Sequence, residues 1–153
     1  MKIQIRVDDL SGSDIQDLLA EHIDDMQAIS PPESKHALDI EGLMQPDIQF
    51  WSAFNDKQLL GCVALKTHSS GIGEIKSMRT AVAARGKGVG IALLKFVIQS
   101  AKLNEVGQLY LETGSMPFFE PARKLYLKFC FEFCGPFADY KADPNSVFMT
   151  KRL

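Results

Sequence analysis

The stretch Glu74-Ile75-Lys76-Ser77-Met78-Arg79-Thr80, the connection Ala81 to Ala84 and the run Arg85-Gly86-Lys87-Gly88-Val89-Gly90 decide the reading of this chain. The first segment alternates in the manner of a strand, with Glu74, Lys76, Met78 and Thr80 expected on one face. From Val89 onward the apolar residues Val89, Ala92, Leu93, Phe96, Val97 and Ala101 recur at helical spacing. The glycines between strand and helix leave no side chain to hold a ligand off the backbone, and they permit turns that other residues resist. The unpaired N–H groups of the helix's first turn then face the same point as the loop amides, with Arg85 and Lys87 adding positive charge at the rim. A phosphate or pyrophosphate suits that construction.

Downstream of this helix Gly107 leads into a strand, Gln108-Leu109-Tyr110-Leu111-Glu112. A strand, helix, strand unit of this length is a crossover, so the two strands are expected parallel and adjacent. Upstream, Ile48 to Phe54 and Leu59 to Thr67 flank the turn Asn55-Asp56-Lys57-Gln58 and read as a hairpin. Leu59 to Leu65 is almost continuously apolar, which predicts a central strand covered on both faces. Nearer the start, Ile3, Ile5 and Val7 alternate as a first strand. Ser13 with Gln16 forms a capping box ahead of an apolar stripe through Ile15, Leu18, Leu19, Ile23 and Met26. His22 lies on that stripe and reads as a packed or edge histidine. Ser30-Pro31-Pro32-Glu33 is a helix-start signal. Toward the end, Pro121 opens a short helix with Ala122, Leu125, Tyr126 and Phe129 on one face, and strands are expected at Phe131 to Cys134 and Ser146 to Thr150.

A chain of 153 residues with 46% hydrophobic content is long enough for one well-buried core and short for two, so residues 1–153 are expected to form one domain. The net charge of −2 supplies no global basic field, which disfavours a nucleic-acid partner. The sequence has no apolar run of membrane-spanning length and Met1-Lys2-Ile3-Gln4-Ile5 is too short and polar for a signal peptide, so a cytoplasmic protein without a membrane partner is expected. Cys62, Cys130 and Cys134 form an odd set without a C-x-x-C pair, and read as reduced structural thiols rather than as a disulfide frame or a metal site.

Glycine spacing separates the phosphate-binding loops. A Walker loop is absent, and Gly86, Gly88 and Gly90 run as G-x-G-x-G where the dinucleotide fingerprint needs G-x-G-x-x-G. The fitting pattern is R-x-x-G-x-G followed by an amphipathic helix, and with it the chain resembles the GNAT superfamily of N-acetyltransferases. Leu125-Tyr126-Leu127-Lys128-Phe129-Cys130-Phe131 is similar to the family's L-Y-x-x-x-G-F, except that Cys130 stands where a glycine is expected at the helix end. Phe119 likewise occupies a place where the family often has an asparagine contacting the cofactor.

The resemblance implies an α/β (α+β) single-domain fold: a mixed sheet of six or seven strands, about four flanking helices and a splayed parallel pair. It implies acetyl-coenzyme A as co-substrate, its pyrophosphate on Arg85, Gly86, Lys87, Gly88, Val89, Gly90 and Ile91. Its pantetheine arm would lie along Met78, Arg79 and Thr80, and no metal is called for. It implies direct acetyl transfer to a primary amine, with Glu74 as base, the Met78 N–H as oxyanion donor and Tyr126 as the acid that protonates the leaving thiolate. The acceptor would come from the opposite side, over His36, Asp39, Trp51 and Tyr140; a homodimer is left open. Two alternatives are a coenzyme A-binding regulatory module without turnover and a Rossmann-type oxidoreductase with Glu112 as the ribose-binding acid. The acceptor stays undetermined among metabolite amines, amino acids, antibiotics and protein amines.

Overall fold

The apolar run expected at the centre of the sheet is at its centre. In the computed structural model, which describes residues 1–29, 38–69 and 71–153, strands β1 (Gln4–Val7), β2 (Ile48–Asn55), β3 (Gln58–Ser69), β4 (Ile72–Thr80), β5 (Gln108–Gly114), β6 (Glu132–Cys134) and β7 (Ser146–Arg152) form one sheet. Their order is β1-β2-β3-β4-β5-β7-β6. Residues Leu60 to Leu65 of β3 are buried on both faces, with Leu60, Val63 and Leu65 in one core and Cys62 and Ala64 in the other. The first core is packed by α3 (Val89–Leu103) and α4 (Glu120–Lys128), the second by α1 (Ser13–Ile29) and the single turn α2 (Ile40–Leu43).

Among the described strands only β4 and β5 pair in parallel, as the crossover requires. They pair from Ile72 with Gln108 to Ile75 with Leu111 and no further, although β4 runs on to Thr80 and β5 to Gly114. Beyond that point they splay. The far side of β5 pairs with antiparallel β7, so the sheet is not the doubly wound parallel sheet of a Rossmann oxidoreductase, and that alternative is set aside.

The strict alternation expected for Glu74 to Thr80 fails at one residue. Ser77 has φ 51°, and the β3–β4 register shifts between the Ala64–Lys76 and Cys62–Arg79 pairs, which marks a β-bulge. The extra residue reverses the faces. Glu74 and Lys76 look toward the side of α1 with Arg79, whereas Met78 packs against the core beneath α3. The capping box also differs: the helix already includes Ser13, and the Gln16 side-chain amide donates to the Leu10 carbonyl at 3.0 Å. The helix start expected at Ser30 lies outside the described residues.

At the end of α4 Cys130 adopts φ 68°, the left-handed conformation for which glycine is the usual residue. All three cysteines are unpaired, and burial pushes the Cys62 thiol up to about 12.

Candidate active site

Where β4 and β5 separate, a groove of about 620 Å³ opens on the side of α3 and α4. It is lined by Met78, Arg79 and Thr80, by Arg85, Gly86, Gly88, Val89, Gly90 and Ile91, and by Phe118, Phe119, Ala122 and Tyr126 across from them. Gly88 is the left-handed N-terminal cap of α3, at φ 84°, and Gly86 has φ 74°. A Cβ on either would meet no atom within 4 Å, so both glycines keep open the space in front of the helix's unpaired N–H groups. Of the residues expected around a phosphate, Arg85, Gly86, Gly88, Val89, Gly90 and Ile91 line this groove. Arg85 and Lys87 are exposed at the rim, Lys87 outside the groove lining. Arg79 differs from the expectation in its side chain: the buried guanidinium donates to Glu21 at 2.7 Å and Asp25 at 2.8 Å, tying α1 against the groove.

On the opposite side of the sheet lies a second cavity of about 600 Å³. Lys66, His68, Glu74 and Lys76 form one wall, and residues Ala138 to Asn145 form the other. The register brings Lys66 opposite Glu74, and His68, at the irregularity between Thr67 and Ser69, reaches the Glu74 carboxylate. Glu74 is 2% exposed and both its oxygens are engaged. Oε1 lies 2.7 Å from His68 Nε2, while Oε2 accepts from the Tyr140 hydroxyl at 2.6 Å and from Lys76 Nζ at 3.2 Å. Lys76 also donates to the Tyr140 hydroxyl at 2.9 Å. Burial, and then the Glu74 carboxylate, raise the Tyr140 hydroxyl well above the usual phenol range. The loop carrying Tyr140 is held by aromatic contacts, with Phe137 stacked on Tyr110 at 4.8 Å and beside Tyr140 at 4.9 Å.

A narrow passage of about 110 Å³ joins the two. It shares His22, Met78, Phe119 and Tyr126 with the groove and Glu74, Lys76 and Tyr140 with the second cavity, and Glu112 lines it from β5. Tyr126 is 7% exposed, and the contact of its hydroxyl is the Met78 thioether at 3.9 Å. Burial raises it to about 12, with the Glu112 charge adding to the rise. Phe119 lies against Gly114 so closely that a Cβ there would sit 2.1 Å from its ring.

Of the residues expected on the acceptor side, Tyr140 lines the second cavity. Trp51 is a core residue, 6% exposed and edge-on to Phe96 at 5.4 Å beneath α3. Its large apolar ring is worth more buried than lining a polar cavity. Asp39 caps α2, accepting from the Gly42 N–H at 2.9 Å. His36 lies outside the described residues. Conversely, His22, read as a packed residue, lines both groove and passage, and burial together with the Arg79 charge lowers it to about 4, so it is neutral at pH 7. His68 and Lys76 carried no assigned role; their signal was the β3–β4 hairpin itself, which places them beside Glu74 once the register is known.

Comparison with known proteins agrees with this geometry. Residues 15–131 match the profile described as Acetyltransferase (GNAT) family. An uncharacterised N-acetyltransferase of Bacillus subtilis (strain 168), YsnE, is 52% identical over 151 residues, covering 99% of this chain and 100% of the relative. A second, YedL of Escherichia coli (strain K12), is 44% identical, covering 97% of this chain and 94% of its own length. Among solved structures, a GNAT family acetyltransferase from Elizabethkingia anophelis with acetyl-CoA bound superposes with a TM-score of 0.69 at 20% identity, covering 99% of this chain and 98% of that one.

Proposed function

This chain belongs to the GNAT family of acetyltransferases, and we propose that it moves an acetyl group from acetyl-coenzyme A to a primary amine by direct transfer. One observation carries the reading. A groove with a glycine-opened helix start reaches, through a narrow passage edged by Tyr126, a separate polar cavity on the other side of the sheet. Two substrates can thus approach one point from opposite directions, which direct transfer needs and a one-sided coenzyme-binding module does not. The acetyl-CoA bound to the Elizabethkingia neighbour of the same fold supports the choice of co-substrate.

In this reading the N–H groups from Arg85 to Ile91 hold the pyrophosphate. The edge of β4 from Met78 to Thr80, which has no β5 partner, pairs with the pantetheine arm as an added strand would. The amine enters past Tyr140, loses its proton to a carboxylate at the passage and attacks the acetyl carbonyl, with the Met78 N–H stabilising the developing oxyanion. The C–S bond then breaks and Tyr126 returns a proton to the thiolate. Two carboxylates, Glu74 and Glu112, reach the passage. Incubation with acetyl-CoA and a panel of small amines, amino acids and peptides, followed by free-thiol release and product mass, tests the proposal. Coenzyme A binding without acetylated product from any amine would favour the regulatory module instead.

A further inference from the structure

Of the two carboxylates at the passage, the geometry points to Glu112 as the group that takes the proton from the incoming ammonium, and to Glu74 as a positioning residue. This assignment rests on the transferase reading. Glu74 is committed to a structural network: His68 lies against Oε1, and Lys76 and Tyr140 donate to Oε2, which holds Tyr140 in the acceptor wall. It also sits back from the reaction point. In the parallel register Glu74 is level with Tyr110, and Glu112 lies two residues further along β5, about 7 Å nearer the splay. Leu109 and Leu111 point into the core beneath α3, so the alternation turns Glu112 to the acceptor face, at the strand end where the passage crosses the sheet.

The surroundings suit a base that works near neutral pH. Burial pushes the Glu112 carboxyl up to about 7, with the charges of Glu74 and Asp143 adding to the rise and Ser146 and Lys76 opposing it. Tyr126 and Tyr140, which also line the passage, feel the Glu112 charge, and both hydroxyls keep their protons at that pH. The step is balanced: the ammonium N–H bond breaks, Glu112 keeps the proton, and the freed nitrogen pair forms the bond to the acetyl carbon. Attack leaves a second proton on the positively charged nitrogen; as the C–S bond breaks, Tyr126 gives its proton to the thiolate and is restored by that second amine proton, and Glu112 returns the first proton to solvent through the acceptor cavity.

The test has two arms. In the wild type, kcat at saturating substrates should rise with pH through a midpoint of about 7. Glu112→Gln should remove that limb and lower kcat by about 10² to 10⁴, whereas Glu74→Gln should keep the limb and act mainly on the acceptor KM. In the second arm, infrared difference titration of the coenzyme A complex without acceptor should show a carboxyl group titrating at the same midpoint, absent from Glu112→Gln. A limb retained in Glu112→Gln, a limb lost only in Glu74→Gln, or no such carboxyl band would each overturn the assignment. Failure of the wild type to acetylate any amine would instead overturn the transferase reading, and the role of Glu112 with it.

Discussion

Replacing Tyr126 by Phe removes one oxygen from the boundary between groove and passage and leaves the ring, which packs edge-on to Phe131 at 5.7 Å, unchanged. A buried tyrosine hydroxyl kept for stability usually has a good hydrogen bond worth about 1 kcal/mol. Here its contact is a thioether at 3.9 Å, a weak acceptor beyond ordinary hydrogen-bond length. Burying a hydroxyl without a proper partner costs about 1–3 kcal/mol, so Tyr126→Phe should leave stability unchanged or raise it by about 1 kcal/mol. If the oxygen is there to protonate the departing thiolate, kcat should fall by about ten- to a thousandfold, with KM for acetyl-CoA little changed. A thiolate is already a fair leaving group, which holds the effect to that range. Single-turnover acetyl transfer beside thermal unfolding of the same variant separates the two roles. Full activity with a lowered melting temperature would refute the reasoning and return Tyr126 to the core.

Gly88→Val should fold, since its Cβ meets no neighbour, at a conformational cost of roughly 1–2 kcal/mol for a left-handed β-branched residue; calorimetry should find coenzyme A binding abolished, and unchanged affinity would misplace the phosphate site. Cys130→Gly should stabilise the protein by roughly 1 kcal/mol, because the exposed residue holds φ 68° and the larger unfolded-state entropy of glycine offsets part of the strain relief; a urea midpoint at or below wild type would contradict this. Glu112 also makes stability pH-dependent. Its folded form keeps a proton up to about 7 while the unfolded chain loses it near 4.5, so its contribution is full below 4.5 and is lost as pH rises through 7. At about 1.4 kcal/mol per pH unit the loss is about 3 kcal/mol at most. Glu112→Gln should therefore gain on the wild type between pH 5 and 8 in urea unfolding, and parallel curves would show that the carboxyl is not strained by burial.

What the sequence by itself determined is local or adjacent in the chain. The glycine spacing before Val89, the apolar run of β3 and the strand, helix, strand crossover each fix backbone geometry through neighbours a few residues apart, and each was legible. The left-handed position of Cys130 was signalled by the resemblance, whose pattern has a glycine there. Tertiary structure decided the rest. Alternation cannot reveal the one-residue bulge at Ser77, which sends Glu74 and Met78 to opposite faces and so separates the acceptor wall from the cofactor groove. The resemblance placed Trp51 on the acceptor side, but it packs edge-on to Phe96 in the core beneath α3. The network of His68, Glu74, Lys76 and Tyr140 joins a hairpin to an irregular loop 64 residues further along from Lys76. Glu112 and Tyr126 line one passage where two strands stop pairing after Ile75 and Leu111. Periodicity reports which way a side chain faces along its own element; the charges and hydroxyls that share a passage are set by how separate elements pack.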